Sequence, residues 1–290
     1  MGSSFSSIGH SMRRRATSSA PPATPWAPSD LGFLAWWVDF DDSSTISKSG
    51  STILSLTDKA GKHSFSIGGT PTIITNGLNS RDVADFSGSN EYIQSGSYVN
   101  SQVSSSGDHW SVGVFQFHGT DSTQDSFWSL ETDQSPKRDY AISSGASNNT
   151  WPGELDLDGL TSSRISSTIG NLQQWNWMSV TRSVWAIVGV FFNKTGNQIG
   201  LRVNGSNAFN PVNDYDNSLQ IRQQVRFMRN RSSQELDGRM AESVAYARQP
   251  GTSGTDMSYF QTAEGYLAHK WGLSGNLPSN HPYKSSAPTV

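Results

Sequence analysis

The stretch "GELDLDG", residues 153–159, holds the densest carboxylate chemistry in the sequence. At strand period, Glu154, Asp156 and Asp158 fall on one face, and Leu155 and Leu157 on the other. Carboxylates so spaced can lie in water, hold sugar hydroxyls or an ion, or hydrolyse a glycosidic bond. Retaining hydrolysis needs two carboxyls ~5–5.5 Å apart, and Asp158 is a carbon shorter than a glutamate. A solvated face is the simplest reading, sugar or ion contact comes next, and no residue is assigned a catalytic role. Trp151 stands two residues before Gly153, after "SNNT", where a loop would expose its indole. A sugar ring can lay its C–H face on such an indole while neighbouring polar groups take its hydroxyls. Trp151, Glu154, Asp156 and Asp158 are therefore the candidate carbohydrate site. Trp128, Trp175, Trp177 and Trp185 lie in the same part of the chain, with Trp175 and Trp177 sharing a strand face suited to the core.

A second carboxylate group, Asp39, Asp41 and Asp42 with Ser43, offers hard oxygens at the short spacing calcium takes. It lacks the glycine and fixed ligand order of a helix–loop–helix calcium site, and such residues also cap loop backbone. Calcium is thus a possible cofactor, and no other is indicated. The six histidines are scattered, and His269 is expected to be hydrogen-bonded rather than ligating. With no cysteine, disulfides and thiolate metal sites are excluded. No glycine-rich loop joins a strand to a helix, and no Gly-x-Ser-x-Gly elbow occurs.

The elements that must position these groups read as strands. Hydrophobic residues make up only 34% of the chain, with Ser, Thr, Asn and Gly between them, a balance that suits alternating strands and loops. In "DLGFLAWWVDFDDSSTI", Leu31, Phe33, Ala35 and Trp37 alternate. Further candidates run through 83–87, 109–119, 125–131, 138–144, 153–159, 175–183, 184–193, 198–206, 223–232 and 238–248, with a hairpin turn at Asn204-Gly205. Short strands at even spacing without intervening helices predict an all-β antiparallel two-sheet sandwich. The longest apolar run, "VWAIVGVFF" at 184–192, is far shorter than the ~20 residues of a membrane-spanning helix. Near the end, Phe260, Ala263, Leu267 and Trp271 share one face of a helix expected from about Asp256 to Trp271. Asp256 would cap its start and Gly272 its end. Phe260, Leu267 and Trp271 should pack this helix over an open end or edge of the sandwich.

Residues 1–29 differ from the body that begins at residue 30. Pro21, Pro22, Pro25 and Pro28 interrupt a Ser- and Ala-rich run with no periodicity, so this arm is expected to be extended or disordered. Arg13, Arg14 and Arg15 make it basic, although the chain carries a net charge of −3. No apolar core follows them, so a secretory signal is not expected. Arg13, Arg14, Arg15 and Trp26 are the residues through which the arm would anchor to a partner. The overall charge gives no reason to expect specific nucleic-acid binding.

Three motifs carry a family resemblance: "PSDLGFLAWWVDFDDSSTI", "RDVADFSGSNEYIQS" and "GRMAESVAYARQ" with "AEGYLAHKWGLSGNLPSNHPYK". Together the chain resembles laminin-G-like, concanavalin A-like jelly-roll domains of the type found in bacteriophage virion proteins. The resemblance implies a jelly roll and leaves the activity open. Jelly-roll hydrolases of the β-glucanase and agarase type carry a similar Glu-x-Asp-x-Glu strand, with the first acid as nucleophile and the last as acid/base; Asp158 departs from it. The arm and head together imply a non-enzymatic virion structural protein, a capsid decoration or a head- or tail-fibre component assembled in the host cytoplasm. Other virion proteins and copies of itself would be its partners. The alternative is a carbohydrate-binding adhesin that recognises host glycans; a glycan hydrolase ranks last.

Overall fold

The computed structural model describes residues 23–96, 108–118, 125–132, 140–144, 162–169, 172–193, 198–211, 221–229, 235–253 and 256–290. Its first strands are β1 (Leu34–Asp39), β2 (Ile46–Ser49), β3 (Thr52–Thr57), β4 (Ser64–Gly68), β5 (Thr72–Leu78) and β6 (Arg81–Ser87). Then come β7 (Tyr92–Ser95), β8 (His109–Phe117), β9 (Asp125–Thr132), β10 (Tyr140–Ser144), β11 (Ser162–Ile169) and β12 (Leu172–Thr181). β13 (Trp185–Asn193), β14 (Gln198–Val203), β15 (Ser206–Pro211), β16 (Ile221–Phe227) and β17 (Asp237–Tyr246) follow, and then the helix α1 (Ser258–Lys270).

All described pairings are antiparallel, as the all-β sandwich expectation requires. One run of neighbours is β17–β8–β13–β14–β15. The free side of β17 is shared: β6 pairs with its first half and β1 with its second. A second run is β4–β7–β16–β9–β10–β11–β12. β3 joins the two by pairing with β4 and, at Thr52 and Thr72, with β5. The sheet therefore curls over itself, and the main core fills the space between the runs, with Trp36, Phe115, Val188, Leu201 and Phe227 among its members.

β8 and β13 explain why their segments read as near-continuous apolar runs. Phe115 and Phe117 of β8, and Val188 and Val190 of β13, face this main core. The alternate residues Trp110, Val112 and Val114, with Ile187 and Phe191, face a second core on the outer side. A strand buried on both faces loses its polar alternation. The outer core is closed by α1 through Phe260, Ala263, Leu267, Ala268 and Trp271. The helix thus covers a sheet face, where an open end or edge was expected. Gly189 makes this seat possible, because a Cβ there would lie 2.5 Å from the Phe260 ring.

The helix begins two residues later than predicted. Asp256 still serves its start, since its carboxylate accepts the Ser258 amide at 2.8 Å. Gly272 turns the chain away at φ +68°. The tail beyond it packs inward through Leu273, Leu277 and His281 and then meets the start of the body. Trp26 N donates to Pro288 O (3.1 Å) and Val290 N to Thr24 O (3.0 Å), while Pro25 bridges Thr289. Residues 24–28, read from sequence as the last part of the arm, are laid on the body.

Candidate functional site

At the end of β1, register pairs Asp39 with Glu242 of β17, and both carboxylates are buried. Two like charges opposite each other on adjacent strands would repel. Lys270, on the last turn of α1, lies between them with Nζ 2.7 Å from each. Glu242 also accepts from Trp37 Nε1 (2.7 Å), Tyr266 Oη (3.0 Å) and Trp271 Nε1 (2.7 Å). Burial, followed by the charge of Asp39, raises the Glu242 pKa, and Lys270 opposes both. Lys59 bridges Asp39 (3.0 Å) and Asp42 (2.7 Å) and lies over the Trp37 ring. Hydrogen bonds from Lys59 and Ser44 pull Asp42 down to about 2. Arg81 holds Asp41 and donates through Nε to the Lys270 carbonyl at 2.9 Å.

Asp39, Asp41 and Asp42 therefore each face a cationic side chain. Among the described residues, no three His, Cys, Asp or Glu side chains gather where they could hold a metal ion. The arrangement is an ion-pair lattice that fastens the C-terminal turn of α1 to β1, β17 and the start of β6. A second buried set fastens its middle. Arg202 of β14 gives Glu264 two hydrogen bonds, at 2.9 and 2.7 Å, and His281 Nε2 lies 3.3 Å from the same carboxylate. Burial is the strongest influence on the Glu264 pKa and would raise it, but the Arg202 charge and the hydrogen bonds from His281 and Arg202 together outweigh it and the pKa falls.

The described surface carries a different constellation. β1 begins with a bulge, the register with β17 shifting between Leu34 and Trp36. Just before it, Phe33 takes φ +69° and is 71% exposed. The expected alternation of Leu31, Phe33, Ala35 and Trp37 on one face is overturned here: Trp36 is buried, Trp37 half-buried, and Phe33 points to solvent. The Phe33 carbonyl accepts the Ala247 amide at 2.9 Å, which places the ring beside Arg248. The Arg248 guanidinium carbon lies 3.9 Å from the Tyr259 ring centroid and 5.8 Å from that of Phe33. Two aromatic faces and a guanidinium thus meet at one rim of the sandwich, a grouping that can stack on a ring and bind an anion.

Of the residues singled out from sequence, Trp151, Glu154, Asp156 and Asp158 lie outside the described residues, as do Arg13, Arg14 and Arg15. Trp26, expected to anchor a partner, is 8% exposed and meets Tyr266 edge-on at 5.6 Å between ring centroids. Phe260, Leu267 and Trp271 are fully buried. His269 Nε2 lies 2.8 Å from the Tyr283 carbonyl. Sequence reasoning missed Phe33, Arg248 and Tyr259 as a group, and also Lys59, Arg81, Arg202 and Glu242. The one available signal was Glu242 standing among apolar strand residues in "MAESVAY".

No protein-family model and no curated protein matches the chain. Solved structures do. The sialidase of Trypanosoma rangeli, solved with the inhibitor DANA, aligns over 84% of this chain and 35% of its own, at 11% identity and a TM-score of 0.55. The same sialidase with sialic acid gives a TM-score of 0.54 over 86% of this chain and 36% of its own, at 10% identity. Domain 4 of an extracellular arabinanase from Geobacillus stearothermophilus, with arabinotriose, aligns over 73% of this chain and 91% of its own, at 14% identity and a TM-score of 0.48. This chain spans about a third of the sialidase's length. The two sialidase alignments establish a shared fold. The expectation of a non-enzyme is withdrawn on this finding, because chains that contain this fold include hydrolytic enzymes. No described helix is long and apolar enough to cross a membrane.

Proposed function

We propose that this chain is a glycan-binding β-sandwich module. The observation that carries the proposal is Phe33, a large aromatic ring left 71% exposed at φ +69° beside Arg248 and Tyr259. A left-handed conformation costs a non-glycine residue of order 1–3 kcal/mol, and such strain collects at ligand sites. The exposed ring gives a sugar's C–H face a flat partner. The fold shared with a sialidase solved with sialic acid agrees with this reading. Trp151, Glu154, Asp156 and Asp158 are proposed as further sugar contacts in the connection from β10 to β11. Glycan-array binding followed by calorimetry tests the reading. Phe33→Ala should keep the melting temperature and weaken the best ligand about tenfold, equivalent to about 1.4 kcal/mol. Unchanged affinity would remove the Phe33 surface from the site.

Display on a bacteriophage particle through residues 1–22 is the second reading. It rests on the motif resemblance and on the basic, proline-rich composition of the N-terminal arm. Its test is incorporation into particles with residues 1–22 deleted; normal incorporation would discard the tether.

A further inference from the structure

We infer that the sugar recognised at the Phe33 surface bears a carboxylate, which the Arg248 guanidinium takes while the sugar ring lies on Phe33. The inference rests on the glycan-binding reading above and adds the chemical class of the ligand.

Lys59, Arg81, Arg202, Arg229, Arg239 and Lys270 each meet a carboxylate of this chain. Among the described residues, Arg248 does not. It is half-buried, and its contacts there are the rings of Tyr259 and Phe33. A guanidinium held over the Tyr259 ring at 3.9 Å can turn its in-plane N–H edge to a ligand, and that edge matches the two oxygens of a carboxylate. In a chain with a net charge of −3, a half-buried arginine with no carboxylate partner among the described residues is a cation available to something outside. The nearby ring sets what that something carries. Phe33 offers no hydrogen-bonding group, so a ligand held jointly by Phe33 and Arg248 needs an apolar face and an anionic group about one sugar ring apart. A sugar with a ring carboxylate, such as a uronate or a sialate, satisfies both demands in a single residue. An acidic peptide satisfies only the second.

The test uses the full chain and matched oligosaccharides. One set carries the carboxylate, a second has it reduced to the alcohol, and a third carries a sulfate on an otherwise neutral sugar. The carboxylate form should bind at least tenfold more tightly than the reduced form, with an advantage that shrinks as salt rises. Arg248→Gln should abolish that preference and leave the weaker binding of the reduced form in place. Arg248→Lys, which keeps the charge and loses the planar fork, should recover only part of it. Phe33→Ala should weaken both forms alike. Melting curves of each variant confirm that it is folded, and the lysine variant carries the test if the glutamine variant is not. Equal affinity for the acid and the reduced form overturns the inference and spares the glycan reading. Preference for the sulfated sugar, or equally tight binding of polyglutamate, also overturns it. Binding to no oligosaccharide brings down both.

Discussion

Phe33 holds φ +69° with its ring 71% exposed, its local contacts being the Ala247 amide on its carbonyl and the Arg248 guanidinium beside its ring. If the conformation is held for a ligand, the residue is a liability to stability. Phe33→Gly should then melt no lower than the parent, since glycine adopts positive φ freely, while glycan affinity falls as for Phe33→Ala. A clear drop in melting temperature would show that the ring supports the fold. His109 makes the opposite case, a titratable group fully absorbed by the core. It lies 5.5 Å from the Trp36 ring between centroids, and burial pushes its pKa down from 6.5 to about 3. The unfolded chain therefore binds this proton at a higher pH than the folded one. The stabilising difference is complete above about pH 6.5 and is lost as pH falls toward about 3, at about 1.4 kcal/mol per unit. Denaturant titrations at several pH values should show this slope, and His109→Gln should flatten it while lowering stability at neutral pH. A slope unchanged in the variant would assign the acid sensitivity to other groups.

Among the elements, α1 depends most on its surroundings. With 13 residues it is marginal alone. It is held by an apolar face and by two polar fasteners, Lys270 with Glu242 and Asp39, and Glu264 with Arg202. Trp271 belongs to both kinds of contact, since its ring is buried and its Nε1 donates to Glu242. Trp271→Ala should cost about 3–5 kcal/mol and open the segment after residue 258 to protease, read by denaturation and limited proteolysis. An unchanged proteolytic pattern would show that the fasteners suffice without the ring. The apolar face of this helix was legible, because Phe260, Ala263, Leu267 and Trp271 recur at helical period, as were β8 and β13 from their runs of Val, Phe and Trp. The Ser-rich β11 was not, because "SSRISSTI" contains too few apolar residues to announce a strand. The fasteners were hidden for another reason. Asp39 and Glu242 are 203 positions apart, and nothing local says that β1 lies beside β17. The bulge that turns Phe33 outward is equally silent, since an alternating pattern carries no mark where a strand slips by one residue.

At the scale of the whole molecule, the body starts earlier than its composition suggested. Removing residues 1–22 should leave the melting temperature unchanged. Removing residues 1–28 should lower it, because Trp26 leaves the outer core and Tyr246 Oη loses the Pro28 carbonyl it donates to at 2.9 Å. Equal melting temperatures for the two truncations would show that the Trp26 contact contributes little. The pairing of Thr24 and Trp26 with Pro288 and Val290 has a separate consequence. The two ends of the folded body stand side by side, a few ångströms apart, so the body adds almost no span to a chain that enters at one end and leaves at the other. Such a unit can be set into a surface loop of another protein without prising that loop open. Its own new ends could be cut elsewhere, for instance at the Asn204-Gly205 turn, with the old ones joined by a short linker.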